Sequence, residues 1–191
     1  MTTAENTLTP QESLALIAET ISKTRDNIKV NSFYFLLWGW LVSLASFGFF
    51  ILQHYTGFAY YFLPFPVFAI AGVIITISHY TKRKASTSET HISYFLSRMW
   101  MVLGICFILV VFINVSQNLP PFTYTLIIAG IGTMVSGLVM KFKPLIIGGI
   151  FFLCASMGSV YVIDAFKPLV HGIAIMVGYL IPGYLLKYSK N

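Results

Sequence analysis

Few side chains in this sequence could do acid–base or nucleophilic chemistry, and where they fall says more than how many there are. The six acidic residues are Glu5, Glu12, Glu19, Asp26, Glu89 and Asp164. All six lie outside the long apolar runs. A carboxylate within such a run is the usual mark of a proton relay or a cation site. Their absence there argues against coupling to protons or sodium and excludes aspartyl proteolysis within a membrane. HExxH, GxSxG, the P-loop and GxGxxG are also missing. The two cysteines, Cys106 and Cys154, sit in apolar runs without CxxC or metal-ligand spacing, and they read as small packing residues. The chain is therefore expected to be no enzyme, with no catalytic residue, no resident metal and no cofactor.

The remaining polar residues gather where apolar runs begin and end. His54 closes the first run, Asn114 and Gln117 close the third, Asp164 and Lys167 precede the sixth, and His171 enters it. Polar ends of this kind can converge above a helix bundle, so these six residues form a candidate ligand-binding rim. His171 lies within the apolar region and needs a partner there. Histidine titrates near neutrality. It is therefore either a structural histidine satisfied by its neighbours or a ligand- or pH-sensing group acting with Asp164 or His54. Asp164 also suits a cap on the sixth run. Arg98 is the one charge near the inner edge of a run. It reads as a side chain snorkelling beside Trp100 or as an anchor for an anionic lipid or substrate.

The elements that position these residues follow from composition. Of 191 residues, 57% are hydrophobic and 9% charged, against about a quarter charged in a soluble domain. Six segments approach the roughly 20 apolar residues that a membrane helix needs: Val30–Leu52, Phe62–Tyr80, Tyr94–Val115, Phe122–Met140, Leu145–Ile163 and Leu169–Leu186. The expected architecture is an all-α polytopic membrane protein of six transmembrane helices in three hairpins. With six spans, Lys23, Arg25, Lys29, Lys82, Arg83, Lys84, Arg98, Lys141, Lys143, Lys187 and Lys190 share one side, and Lys167 stands alone on the other. Positive charge collects on the cytoplasmic side, so both termini are expected there, in the cell (inner or plasma) membrane of a prokaryote. The net charge of +6 is thus an orientation signal, and no nucleic-acid partner is expected. Pro182, beside Gly183 near the end of the sixth run, predicts a bend.

Residues 1–29 are polar and mixed in charge, unlike a signal peptide. They form a segment distinct from the transmembrane domain of residues 30–191. Thr9-Pro10-Gln11-Glu12 has the form of a helix start. Leu14, Ile17, Ala18, Ile21 and Ile28 follow at helical spacing. This predicts an amphipathic cytoplasmic helix that lies on the membrane surface, packs beneath the bundle, or docks a partner protein or a second copy. Leu14, Ile17 and Ile21, with Lys82, Arg83, Lys84 and Arg98, are the candidate partner or lipid contacts.

Within the spans, small residues recur four apart, as in Gly132/Ser136, Ala155/Ser159 and Ala174/Gly178, and a small stripe on the first span runs through Ser43, Ala45, Ser46 and Gly48. Such spacing permits close helix approach and is a second route to self-association. Trp38, Trp40 and Trp100 fall toward cytoplasmic span ends and read as an interfacial belt. A faint echo relates span two (Ile70-Ala71-Gly72) to span four (Ile128-Ala129-Gly130). The functional expectation is a non-enzymatic scaffold, regulatory or stress-related membrane component that acts through protein contacts within the lipid bilayer. The competing expectation is a small-solute-binding subunit or transporter component with its site at the outer rim.

Overall fold

In hydrocarbon a backbone must satisfy its own hydrogen bonds, so apolar runs of this length fold as helices. The computed structural model describes residues 9–56, 58–84 and 91–189, and no strand occurs among them. Helix α1 (Pro10–Ile51) is continued by a π-helical turn, Leu52–Thr56. It is followed by α2 (Pro64–Lys84), α3 (His91–Ser116), α4 (Phe122–Val139) and α5 (Lys143–Ser159). A 3₁₀ turn (Asp164–Phe166) leads into α6 (Lys167–Ile175), a π-helical turn (Met176–Leu180) and α7 (Ile181–Tyr188).

Five helical segments among the described residues are long and apolar enough to cross a membrane: Asn31–Thr56, Pro64–Lys82, His91–Ser116, Phe122–Val139 and Asp164–Tyr188. Helix α5 is apolar but has only 17 residues, about 26 Å at ~1.5 Å per residue. That is the short end of the spanning range. It stops at Ser159 because Val160, Tyr161 and Val162 close tight turns onto Met157, Gly158 and Ser159. The chain is an all-α polytopic membrane protein.

Helix α1 starts at Pro10, as the Thr9-Pro10 signal implies, and runs for 42 residues without interruption through residue 30. At ~1.5 Å per residue this is about 63 Å, twice the roughly 30 Å of a hydrocarbon core. The expected amphipathic helix is therefore the continuation of the first span, and roughly 20 residues precede the apolar segment.

The interior is built by α1, α4, α5 and the α6–α7 segment. Leu126, Leu145, Phe152 and Leu186 are fully buried, and Phe35, Ala129, Ala174, Ile175 and Tyr179 pack with them. Helices α2 and α3 lie at the margin, packed on α1 and α4 respectively, and most of their surface is exposed. Spans four to six cluster as their small residues imply, with α1 as the fourth member. The approach of α4 to α5 is closest. A Cβ on Gly149 would stand 2.5 Å from Met134 Cβ and 2.6 Å from its backbone nitrogen, and one on Gly137 would stand 2.6 Å from the backbone nitrogen of Ile146.

Pro182 offers no N–H, so the carbonyl of Gly178 lacks a donor four residues on. The π-helical turn Met176–Leu180 absorbs this irregularity. The Gly178 oxygen instead faces α5, 2.7 Å from where a Cβ on Gly148 would stand.

Two helices end on non-glycine residues in the left-handed region, Asn118 (φ 57°) and Lys141 (φ 52°). At each, paired bonds close a Schellman turn. Phe142 and Lys141 donate to the carbonyls of Gly137 (2.8 Å) and Leu138 (3.2 Å), and Leu119 and Asn118 donate to those of Asn114 (2.9 Å) and Val115 (3.1 Å). Asparagine tolerates this conformation well, whereas lysine gives up about 1 kcal/mol or more. Lys141→Gly is therefore expected to raise stability by about 1 kcal/mol. Gly149→Ala should lower it by ~1–3 kcal/mol, because α4 and α5 must move apart. Equilibrium unfolding in micelles checks both; an unchanged Gly149→Ala protein would contradict the close approach.

Candidate functional site

The buried polar residues of the bundle meet where α1, α4 and α6 converge. His171, on the first turns of α6, is 2% exposed. Its Nδ1 lies 2.8 Å from Ser46 Oγ of α1 and its Nε2 lies 3.1 Å from Thr125 Oγ1 of α4. Each hydroxyl also reaches a carbonyl of its own helix: Ser46 that of Val42 (2.8 Å) and Thr125 that of Phe122 (2.9 Å). The neighbouring Ser43 donates to the Gly172 carbonyl at 3.3 Å. The rings of Phe122 and Phe65 flank the imidazole at 5.4 and 6.4 Å between centroids, and Phe49 packs on Phe122.

The donor arithmetic constrains this centre. A neutral imidazole donates through one nitrogen and accepts at the other. If Nδ1 carries the hydrogen, Ser46 accepts from it and keeps its bond to Val42, while Thr125 must turn its hydroxyl from Phe122 to Nε2. The other tautomer reverses these roles. In either case α6 is bonded to both α1 and α4, and one hydroxyl gives up a carbonyl of its own helix.

Other buried hydroxyls rest on their own helix in the same manner. Thr133 donates to the Ala129 carbonyl, Ser136 to that of Gly132 and Ser159 to that of Ser156. Thr123 and Ser159 join α4 to α5 at 2.8 Å. Among the described residues no buried side-chain nitrogen or oxygen lacks a partner, as a dry interior requires.

The structure divides the six candidate rim residues. His54 is exposed, its ring stacked near Phe50 (4.5 Å) and Phe166 (5.4 Å), which brings it beside the 164–167 turn. Asp164 and Lys167 pair with each other at 2.7 Å, and no side chain caps α6. Asn114 is buried and donates to the Val110 carbonyl of α3 (2.8 Å), while Gln117 lies exposed in the turn that ends that helix. His171 is bonded to Ser46 and Thr125, and not to Asp164 or His54. Sequence reasoning missed Ser46 as a histidine partner, although it had placed that residue in the small stripe of span one. Thr125 left no signal of its own.

Of the candidate contacts, Leu14 is 67% exposed, Lys82 is exposed, and Arg98 is exposed with its guanidinium 5.2 Å from the centre of the Tyr94 ring. The side chains of Ile17, Ile21, Arg83 and Lys84 lie outside the described residues. The tryptophans read as an interfacial belt also make specific bonds within the bundle. Trp38 donates to Thr76 Oγ1 (3.2 Å), Trp100 to Ser136 Oγ (3.1 Å) and Trp40 to the Tyr184 hydroxyl (3.2 Å), so all three indoles bond to neighbouring helices.

Among the described residues no group of three or more His, Cys, Asp or Glu side chains is arranged to hold a metal ion. Comparison with family models, curated proteins and solved structures found no match.

His171→Leu removes both bridging bonds but lets Ser46 and Thr125 fall back on their own carbonyls. The expected loss is about 1–3 kcal/mol. A double-mutant cycle with Ser46→Ala should give a coupling of about 1 kcal/mol, measured by unfolding in micelles. Strictly additive losses would show that the imidazole does not tie α6 to α1.

Proposed function

We propose that this chain is a non-enzymatic membrane component, a scaffold or regulatory subunit of the cell membrane, and that it works through protein contacts at its cytoplasmic face. The observation that carries this reading is the continuity of α1. A helix that crosses the bilayer and runs on for roughly 20 residues beyond its apolar segment couples whatever binds the extension to the bundle. The contacts of α1 with α2, α6 and α7 would carry displacement of the extension into much of the membrane domain.

In this proposal α5 counts as a sixth crossing, both termini are cytoplasmic, and the extension and the basic segment Lys82–Lys84 form the docking surfaces. The supporting pattern is the segregation of eleven of the twelve basic residues to that side, Lys167 being the exception. The burial of Leu126, Phe152 and His171 at the centre of the bundle also favours contact over solute handling. Leu14, exposed on the extension, supplies an apolar contact point, and Ile17 and Ile21 follow at helical spacing in the sequence.

The alternative, a solute site at the outer rim, has one supporting observation: His54 and the Asp164–Lys167 pair are brought together around Phe166. The burial of His171 away from that pair counts against it.

Affinity capture from the native membrane tests the leading reading, comparing the intact chain with Leu14→Glu/Ile17→Glu/Ile21→Glu and with a chain lacking residues 1–29. The triple variant is expected to lose the specific partners while keeping the thermal unfolding of the bundle. If both altered proteins retain the full set, the extension is not the docking surface. A solute that stabilises the intact protein but not Asp164→Ala would favour the alternative.

A further inference from the structure

Two tryptophans far apart in sequence make the same contact. Trp38 of α1 lies against Gly72 of α2, where a Cβ would stand 2.9 Å from the indole Cη2 and 3.0 Å from Leu41 Cδ1. The indole N–H donates to Thr76. Trp100 of α3 lies against Gly132 of α4, where a Cβ would stand 2.7 Å from Cη2 and 2.8 Å from Leu103 Cδ1. Its N–H donates to Ser136. In both hairpins the leucine follows the tryptophan by three residues and the hydroxyl follows the glycine by four. One helix thus carries Trp-x-x-Leu and the next Gly-x-x-x-Ser/Thr.

We infer that the first two hairpins are two copies of one packing unit, each closed by an indole seated on a glycine and tethered to a hydroxyl one turn further on. The third hairpin keeps half of the device. Phe152 of α5 lies directly on Gly178, but a phenyl ring has no N–H and position 182 is proline. The matching register pairs Gly72 with Gly132, two residues from the Gly130 that the sequence echo suggested.

The faces turned away from the latch support this register. With Gly72 set on Gly132, Ile70, Ile74 and Ile77 correspond to Gly130, Met134 and Gly137. The three isoleucines are exposed, whereas the α4 residues meet α5. The same helix face therefore carries glycine at two of its three positions where the third hairpin docks, and isoleucine at all three where no described helix does.

The two copies are set into the bundle in opposite senses. In the first, the tryptophan belongs to the interior helix α1 and reaches out to the marginal helix α2. In the second, it belongs to the marginal helix α3 and reaches in to α4. Trp100 consequently also meets Phe35 and Tyr179, at 6.0 and 6.3 Å between centroids. One latch holds an outer helix to the bundle, and the other is also part of the core.

The indole N–H resonances of the full-length protein in micelles, labelled with ¹⁵N-tryptophan and assigned through single Trp→Phe variants, test this directly. Thr76→Val, which keeps the side-chain shape, should shift the Trp38 signal and leave that of Trp100 in place. Ser136→Ala should do the reverse. Thr76→Ser and Ser136→Thr, which exchange the two hydroxyls, should leave both signals near their original positions. Gly72→Ala and Gly132→Ala should each lower the thermal midpoint. An indole signal that ignores removal of its own hydroxyl, or a glycine whose replacement leaves the midpoint unchanged, would overturn the shared latch.

Discussion

The physical constraint on which the bundle depends is that a helix in hydrocarbon has no water to complete its hydrogen bonds. Without water, apolar side chains gain nothing by leaving lipid for one another, and helices are held by close packing and by the hydrogen bonds they can make. Both resources are visible here, often in one place. Gly149 and Gly137 let α4 and α5 approach until backbone meets backbone. Gly72 and Gly132 each admit a large indole, and the hydroxyl one turn along receives its N–H. The glycine supplies the space and the hydroxyl removes the cost of burying a polar ring atom.

The same constraint explains the hydroxyls. Ser46, Thr133 and Ser136 are fully buried, so no solvent is at hand to complete their bonding. Each instead donates to the carbonyl one turn back in its own helix, which leaves its oxygen free to accept from a neighbour. A serine so arranged is an acceptor aimed outward from an otherwise apolar helix. Trp100 uses one such acceptor, and His171 uses another when its Nδ1 carries the hydrogen. The break at Pro182 follows the same logic in reverse: the Gly178 carbonyl, with no donor four residues on, faces Gly148, where no side chain competes for the space.

Much of the architecture was legible in the sequence because it depends on run length and composition. The helices fall close to the six apolar segments, Pro10 starts the first, and Pro182 marks the irregular one. What was hidden depends on which side chains of different helices meet. Nothing in the spacing of Ser46, Thr125 and His171, separated by 79 and 46 residues, announces that they converge. The tryptophans show the same limit. Their position near span ends fits an interfacial belt, and nothing in the spacing announces that Trp38 lies against Gly72 or Trp100 against Gly132. The continuity of α1 was obscured by composition, because a change from polar to apolar residues at position 30 resembles a boundary although the backbone passes through it as one helix.

Position 171 shows why a polar residue belongs in this interior at all. A leucine there could fill the space between Phe122, Phe65 and α1, and close packing alone would be satisfied. It would not supply the directional bonds that link α6 to α1 and α4. The imidazole has two polar atoms on a rigid ring, and they must meet hydroxyls on two different helices at 2.8 and 3.1 Å. Only a narrow range of rotation satisfies both, and in that range the Gly172 carbonyl also faces Ser43. Fixing α6 there sets the approach to the π-helical turn and hence the placement of Gly178 under Phe152 and Tyr179 beside Trp100. The histidine therefore adds a directional constraint to the close packing that Gly172 and Gly178 already permit.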